Sequence, residues 1–513
     1  MQTLHSPAQA AQWLRQHVTG VLCTDSRKVQ MGDAFIAWPG AATDGRAYVK
    51  SALAQGAAAC LVEAQGSEAW TTEWHNTEHT QLATYSGLKA DTGWIADAYY
   101  EQPSQALKVV AVTGTNGKTS STWWLAQALN ELNNASQPSR CAVVGTLGVG
   151  EPPHLVSTGM TTPDPVLLQA QFRNFVTTGV THCAIEASSI GIAEQRLAGT
   201  RIRLAVFTNF TQDHLDYHGS MAAYWKAKED LFAWPDLEVA VVNIDDAHGA
   251  QLAAKLASEK SLTLWTCSSQ GHPARLQALN LQRTAAGLAF DVKEAEQVVH
   301  IQTHLMGDYN VDNLLGVMAT LRALGIPLDQ ALAVCARLQA VPGRMEKVPG
   351  VDGIELPLTV VDYAHTPDAV LQTLANLKLI SGALDSQLWC VLGCGGDRDA
   401  SKRPLMAAAA ESVADHVVLT SDNPRSESPT AILQDMLKGM KAPLAAYQEI
   451  DRAKAIAHVI MQANSRDVIL IAGKGHEDTQ EIAGVKHAFD DRLHAHEALV
   501  LRANQRPVEG ARS

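Results

Sequence analysis

The chain has no apolar run near the ~18 residues that would carry it across a bilayer as a helix, so no membrane span is expected. Its first residues, MQTLHSPAQAAQWLRQH, lack a basic stretch followed by an apolar core, and no signal peptide is read there. Positive charge is in deficit: 40 Lys and Arg stand against 53 Asp and Glu, a formal net charge of −13. That balance argues against a nucleic-acid partner and against an anionic membrane surface. Any anionic substrate must then be met by local basic groups. The eight cysteines form no CxxC pair, and no histidine cluster accompanies Cys390 and Cys394. Reduced thiols of a cytoplasmic protein are the expectation. Low-complexity tracts and short repeats are also missing.

What is present is a chain of 513 residues, 46% hydrophobic and 18% charged. That composition is typical of a globular enzyme, and the length suits about three domains. The stretch that organises it is Lys108–Thr122, KVVAVTGTNGKTSST. Val109–Val112 reads as a buried parallel strand, Thr113–Lys118 as a glycine loop, and Thr119 to about Leu132 as a helix. Strand, glycine loop with Lys-Thr, and helix form a cradle for a nucleoside triphosphate. Loop N–H groups face the phosphates, Lys118 meets the outer ones, and the Thr119 hydroxyl meets Mg²⁺. Val112 stands where the strict phosphate-loop pattern has its first glycine.

The expected fold is α/β in three domains. Residues 1–103 read as a small α/β unit, with Gly66–Gly93 irregular and Pro103 a linker. Residues 104–343 read as a central phosphate-loop domain built on a mostly parallel sheet. Its further strands are Cys141–Gly145, Thr181–Glu186, Leu204–Thr208 and Val239–Asn243, and Leu276–Val292 reads as a hairpin turning at 285–287. Residues 344–513 read as a Rossmann-like α/β domain, with strands at Leu358–Asp362, Leu388–Leu392, His416–Thr420 and Val468–Ala472.

Ligands of such sheets bind beyond the carboxyl ends of the strands, so polar residues there carry the functional reading. Glu186 suits Mg²⁺, which takes oxygen ligands, or simply a helix N-terminus. The block Phe207–His218, FTNFTQDHLDYH, places Asn209, Asp213, His214, Asp216 and His218 directly after a strand; His214 as neutral imidazole suits a metal. Lys228 reads as a solvated helix lysine, no different from Lys226. Ser26 and Arg27 suit either a phosphate or sugar contact or a plain turn. Pro342-Gly343 reads as a hinge that lets Arg344 reach a nucleotide, and Asp362 is placed to accept from ribose or to hold a loop. Arg398, Asp422, Asn423, Arg425 and Glu477 fall on three loops at one sheet edge. They fit a pocket for a zwitterionic amino acid, or an internal ion-pair network.

Taken in order, TGTNGKT (113–119), EASS (186–189), TNFTQDHLDYHG (208–219), YxxAK (224–228), GDYNVDN (307–313), PGRME (342–346), DYAHTPD (362–368), GCGGDRD (393–399), DNPR (422–425) and GKGHE (473–477) resemble the Mur ligase family. The resemblance runs from about Thr24 to Arg492. It implies an N-terminal domain for the UDP-muramyl substrate, a central domain for ATP and Mg²⁺, and a C-terminal domain for the incoming amino acid. It implies ATP-dependent amide ligation through an acyl phosphate, in cytoplasmic peptidoglycan precursor synthesis, by a monomer. The implied ATP contacts are Gly114, Thr115, Asn116, Gly117, Lys118, Thr119, Asn310, Arg344 and Asp362. Thr119, Glu186, His214 and Lys228 would hold metal, Lys228 as a CO₂-derived carbamate, with Lys118, His214 and Lys228 catalytic. Ser26, Thr161, Thr162, Ser188 and Arg196 match positions for the muramyl dipeptide UDP-MurNAc-L-Ala-D-Glu. Arg398, Asp422, Asn423, Arg425, Gly473 and Glu477 match the amino-acid pocket. DNPR resembles the members that add meso-2,6-diaminopimelate rather than those that add L-lysine, with Arg425 clamping the distal carboxylate. The chain departs from the family at Ile190, at Glu194 and at Ala42, where relatives carry His, Gln and His. A folylpolyglutamate synthetase, a non-catalytic nucleotide-binding regulator and a transport ATPase are the alternatives. The Cys23–Gly40 block and DNPR argue against the first, the retained Lys118, Glu186, His214 and Lys228 against the second, and the missing coupling motifs against the third.

Overall fold

A computed structural model of the chain describes residues 2–40, 43–70, 74, 81–134, 138–259, 262–284 and 287–505. Ala42 and the hairpin residues 285–286 lie outside these. Two compact units are present: Met1–Leu279 with Val292–Val299 and Asp312–Cys335, and Asn280–Asp291 with His300–Val311 and Ala336–Ser513.

The first unit opens with a five-stranded parallel sheet in the order Gln2–Leu4, Gln81–Tyr85, Ala59–Glu63, Ala34–Ala37, Leu22–Cys23. Leu14, Ile36, Leu61 and Ile95 close its core against the helices Pro7–His17 and Leu88–Tyr99. The expectation of an irregular Gly66–Gly93 is corrected here. Gln81–Tyr85 is a strand between two parallel neighbours, and a helix begins at Leu88. A five-residue strand buried in a sheet carries no alternation to read. The helix hides its inner face (Leu88, Thr92, Ile95, Ala96) among polar letters.

The larger sheet of this unit runs Thr263–Ser268, Val239–Asn243, Ile202–Phe207, Lys108–Thr113, His182–Glu186, Cys141–Gly145, all parallel. Two short antiparallel strands, Gly148–Glu151 and His154–Val156, extend one edge. Beyond the other edge the order continues through Leu276–Thr284, Gly287–Glu294 and Gln297–Thr303, which brings the expected hairpin together and adds a third strand. Strand Lys108–Thr113 is central. Its residues from Val109 onward are buried on both faces, which is why it reads as an unbroken apolar run. The following helix, Lys118–Leu132, buries ten side chains and so lacks a polar stripe.

The second unit holds a six-stranded sheet ordered Glu346–Lys347, Leu358–Asp362, Val468–Ala472, Leu388–Cys394, His416–Ser421, Tyr447–Gln448. All pairs are parallel except the first. Asp362, Cys394, Ser421 and Ala472 therefore end at one edge. Helices Pro367–Ala383, Lys402–Val413, Pro429–Leu437 and Arg452–Gln462 connect the strands and cover the sheet, as the alternation predicts. A hairpin of Thr479–Ile482 with Val485–Ala488, not anticipated, crosses beside Arg425. No helix among the described residues is long and apolar enough to cross a membrane.

Candidate active site

The loop after the central strand turns on two glycines. Gly114 has φ +147° and Gly117 φ +86°, where side chains are strained. A Cβ on Gly114 would stand 1.9 Å from Thr208 Oγ1, and one on Gly117 2.2 Å from Asn313 Oδ1. The block after strand Ile202–Phe207 braces the loop. Thr115 N donates to Asn209 O (2.8 Å), Asn116 N to Asn209 Oδ1 (2.9 Å), and Thr208 Oγ1 to Asn116 O (2.6 Å). Asn209 and Thr208 thus shape the phosphate loop.

Glu186, the last residue of its strand, is buried beside the first turn of helix Lys118–Leu132. The Thr119 hydroxyl donates to its Oε2 at 3.1 Å, while Thr146 donates from N to Oε1 (2.8 Å) and from Oγ1 to Oε2 (3.2 Å). Thr146 Oγ1 in turn lies 3.0 Å from Thr161 Oγ1. Thr162 Oγ1 donates to the Glu186 carbonyl and meets Ser188 Oγ at 3.0 Å; Arg196 Nη1 donates to the Thr162 carbonyl. Thr119, Thr161, Thr162, Glu186, Ser188 and Arg196, predicted from distant stretches, form one chain of contacts. Ser26 makes no hydrogen bond to that chain among the described residues; it sits in the turn Ser26–Lys28, where Asp25 pairs with the exposed Arg27. Glu194, a departure from the family, accepts from Tyr217 and pairs with Lys89 at 2.6 Å.

Lys228 is corrected from its reading as a solvated lysine. It is 1% exposed, and its Nζ donates to Gly114 O at 2.7 Å. Lys226, two residues earlier, stays in solvent. Burial pushes the Lys228 amine well below the ordinary lysine range, and the nearby Lys118 adds to the shift. The Tyr224 ring, 4.4 Å from Nζ, favours the cation, but desolvation outweighs it. Tyr224 also holds the loop, its hydroxyl 3.1 Å from Thr115 Oγ1. His214, in left-handed backbone (φ +50°), is shifted down chiefly by burial and stays neutral near pH 7, with Asp213 3.6 Å away. Lys118 folds back on its own loop, donating to Gly114 O and Thr115 O, both at 2.9 Å.

The hard oxygens of Thr119 and Glu186 suit Mg²⁺. A buried amine held neutral is the form that adds CO₂, since the nitrogen needs its lone pair. Both features fit the groups the resemblance implies. Among the described residues no preformed cluster of three His, Cys, Asp or Glu exists. An oxygen set that includes a hydroxyl and a lysine would not form one.

In the second unit, Asp362 is buried and accepts from Met345 N (2.7 Å), with Thr373 Oγ1 at 3.4 Å. It therefore holds the loop that carries Arg344, whose guanidinium lies 4.5 Å over the Tyr363 ring. Gly343 is wedged: a Cβ there would stand 2.0 Å from His476 N. Asn310 donates to Met306 O at 2.6 Å.

At the carboxyl edge of the same sheet, Asn423 Nδ2 donates to Glu477 Oε2 at 2.7 Å. Gly473 is needed because a Cβ would stand 2.6 Å from Asp422 Oδ2. Arg425 has φ +51°, donates from Nη1 to Gly396 O (2.6 Å), and lies 3.8 Å from Glu481. Arg398 is exposed and donates to the Asp397 carbonyl, and its Cγ and Arg425 Nη1 both flank Gly395. Sequence reading missed three supports. Lys474 bonds Glu477 and Asn423. The 3% exposed Arg403 pairs with Glu427 and Asp435. The fully buried Arg452, paired with Asp491, donates to the Ser421 and Ala472 carbonyls and so ties two strand ends together. Each reads as an ordinary helix or loop cation until its burial is known.

A phosphate-loop α/β sheet and a separate Rossmann-like sheet edge rich in paired charges define a nucleotide-dependent enzyme of several α/β domains. The chain belongs to the Mur ligase family, in its three-domain architecture. The family's catalytic domain matches residues 17–86, the Mur ligase middle domain residues 112–321, and the glutamate ligase domain residues 343–475. It is similar to the UDP-N-acetylmuramoyl-L-alanyl-D-glutamate–2,6-diaminopimelate ligase of Acidovorax sp. (strain JS42), 56% identical over 98% of this chain and 99% of that one. The enzyme of the same name from Janthinobacterium sp. (strain Marseille) is 46% identical over 94% and 95%. A solved structure of a ligase of that name is 36% identical, with a TM-score of 0.65 over 94% and 95% of the chains. A Mycobacterium tuberculosis folylpolyglutamate synthase shares the fold at 18% identity, with a TM-score of 0.57 over 80% of this chain and 94% of that one.

Proposed function

We propose that this protein joins meso-2,6-diaminopimelate to the γ-carboxylate of D-Glu in UDP-MurNAc-L-Ala-D-Glu, with ATP as the driving substrate. The names of the full-length relatives support this reading. The structural observation that carries it is the junction of Thr119 with Glu186 at the mouth of the phosphate loop. Residues 1–103 take the UDP-muramyl substrate, 104–343 ATP, and 344–513 the amino acid, in a cytoplasmic monomer.

A carboxylate oxygen of D-Glu attacks the γ-phosphorus of ATP, and the bond to the leaving ADP oxygen breaks. The amine of the amino acid, having lost a proton, attacks the resulting acyl phosphate. The tetrahedral centre expels inorganic phosphate and leaves an amide. The N–H groups of Gly117–Thr119, at the N-terminus of helix Lys118–Leu132, receive the phosphates on the loop that Asn209 braces, and Lys118 leaves its loop carbonyls to meet transferring charge. Mg²⁺, when bound, neutralises phosphate charge and orients the γ-phosphoryl group. Thr119 and Glu186 would hold one ion, and His214 with Lys228 a second. Lys228 would serve as a carbamate: its neutral nitrogen bonds CO₂ carbon and loses a proton, replacing an uncharged amine by an anionic oxygen ligand. Asn310, Arg344 and Asp362 serve the nucleotide. Ser26, Thr161, Thr162, Ser188 and Arg196 serve the muramyl dipeptide. Arg398, Asp422, Asn423, Arg425, Gly473 and Glu477 serve the amino acid.

The test is phosphate release with ATP, Mg²⁺ and UDP-MurNAc-L-Ala-D-Glu, with either meso-diaminopimelate or L-lysine added. Release dependent on diaminopimelate is expected. Turnover with lysine alone would overturn the substrate choice, and turnover with neither would overturn the ligase.

A further inference from the structure

Lys474 is a fully buried lysine on the loop after strand Val468–Ala472, with a side chain 0% exposed. An ammonium has three donors and no acceptor, and all three donors here have partners. They are Glu477 Oε2 at 2.9 Å, Asn423 Oδ1 at 3.2 Å and Thr479 O at 2.6 Å. Glu481 N adds a second donor to Asn423 Oδ1, at 2.9 Å.

Two consequences follow for the groups around it. An Asn carboxamide can turn over and exchange its oxygen with its nitrogen. Here both donors face one end, so that end must be oxygen, and Nδ2 must point at Glu477. On Glu477, Oε2 takes both Lys474 and Asn423, while Oε1 makes no hydrogen bond among the described residues. The ammonium therefore fixes the orientation of two pocket side chains and sets one positive charge beneath them.

We propose that Lys474 is a positioning residue that sets amino-acid selectivity, an inference that rests on the amino-acid pocket of the preceding section. Diaminopimelate carries two ammonium and two carboxylate groups and is neutral overall near pH 7, whereas lysine is a monocation. A pocket with Lys474 beneath it is poorer in negative charge and does not reward the extra positive charge of lysine. Loss of Lys474 makes the pocket more negative by one charge and loosens Asn423 and Glu477. Diaminopimelate then binds less well, while a cationic competitor gains.

The experiment uses K474M and K474Q in the full chain, each confirmed folded by thermal melting. Four constants are measured: kcat, KM for ATP, KM for meso-diaminopimelate, and Ki for L-lysine as its competitor. KM for diaminopimelate should rise about tenfold or more while KM for ATP stays within about twofold. The ratio of lysine Ki to diaminopimelate KM should fall on the order of tenfold, the size of one close charge. A merely structural lysine would lower kcat and leave that ratio unchanged, which overturns the inference. K474Q is polar, uncharged and one atom shorter, and decides the matter if K474M does not fold. Wild-type protein without diaminopimelate-dependent phosphate release overturns the proposed function itself. Active wild type with an unchanged ratio in the variants overturns only the role of Lys474.

Discussion

Lys118 and Lys228 meet on one oxygen: both Nζ atoms donate to the carbonyl of Gly114, at 2.9 and 2.7 Å. Two ammonium groups at that spacing repel, and one of them is also buried. The strain resolves if Lys228 is neutral, which makes it the nucleophile for CO₂. Intact wild-type protein is expected to show a mass increase of one CO₂ that is lost in acid. Lys228→Met should lack it and lose about 100-fold or more in turnover, as with loss of a metal ligand. An unmodified but fully active wild type would remove the carbamate.

Glu186 accepts from Thr119 and Thr146 and is buried. Glu186→Gln keeps an oxygen for one donor but lacks the charge. The Mg²⁺ concentration for half-maximal turnover should rise about 10–100-fold. A titration that overlays the wild type would assign Glu186 to the helix terminus alone.

Gly117→Ala introduces a Cβ at φ +86°, 2.2 Å from Asn313 Oδ1. The substitution should cost more than about 1 kcal/mol of stability. It should weaken ATP binding by a larger factor, because the loop N–H groups turn away from the phosphates. Calorimetric titration with ATP and chemical denaturation check the two effects.

Arg425 spends Nη1 on the Gly396 carbonyl, while its Nε lies 3.8 Å from Glu481. Arg425→Lys cannot reproduce a bidentate grip on a carboxylate. KM for diaminopimelate should rise at least about tenfold, with KM for ATP unchanged. An unchanged KM would take Arg425 out of the pocket.

His182, buried in the central sheet, is pushed down to about 4, first by burial and then by Lys108. The unfolded histidine titrates near its ordinary value of about 6.5. Between those values the unfolded chain binds a proton that the folded one does not, so stability falls as pH drops from about 6.5 to 4. The loss reaches at most about 3 kcal/mol. Melting temperatures of His182→Gln should fall less steeply over that window than those of the wild type.

The strands were legible because each core strand is an unbroken apolar run: Cys141–Gly145, Val239–Asn243, Leu358–Asp362 and Val468–Ala472 stand as expected. The edge elements were less so. Gln81–Tyr85 becomes a strand through its neighbours, and the hairpin Thr479–Ala488 is largely polar and mostly exposed. Candidate site residues stood out wherever they cluster after a strand, as at Asn209–His214. Lys474, Arg403 and Arg452 did not, since a cation names its role only through its partners.

The amino-acid sequence by itself determined the phosphate loop. Glycines at 114 and 117 permit backbone that other residues resist, and the order of the motifs marks the family. Tertiary structure alone decided that Lys228 is buried while Lys226 is not, that Thr119 meets Glu186, and that Lys474 turns the Asn423 amide. The reason is physical: local conformation depends on adjacent residues, whereas desolvation and the choice of hydrogen-bond partner are set by segments far apart in the chain.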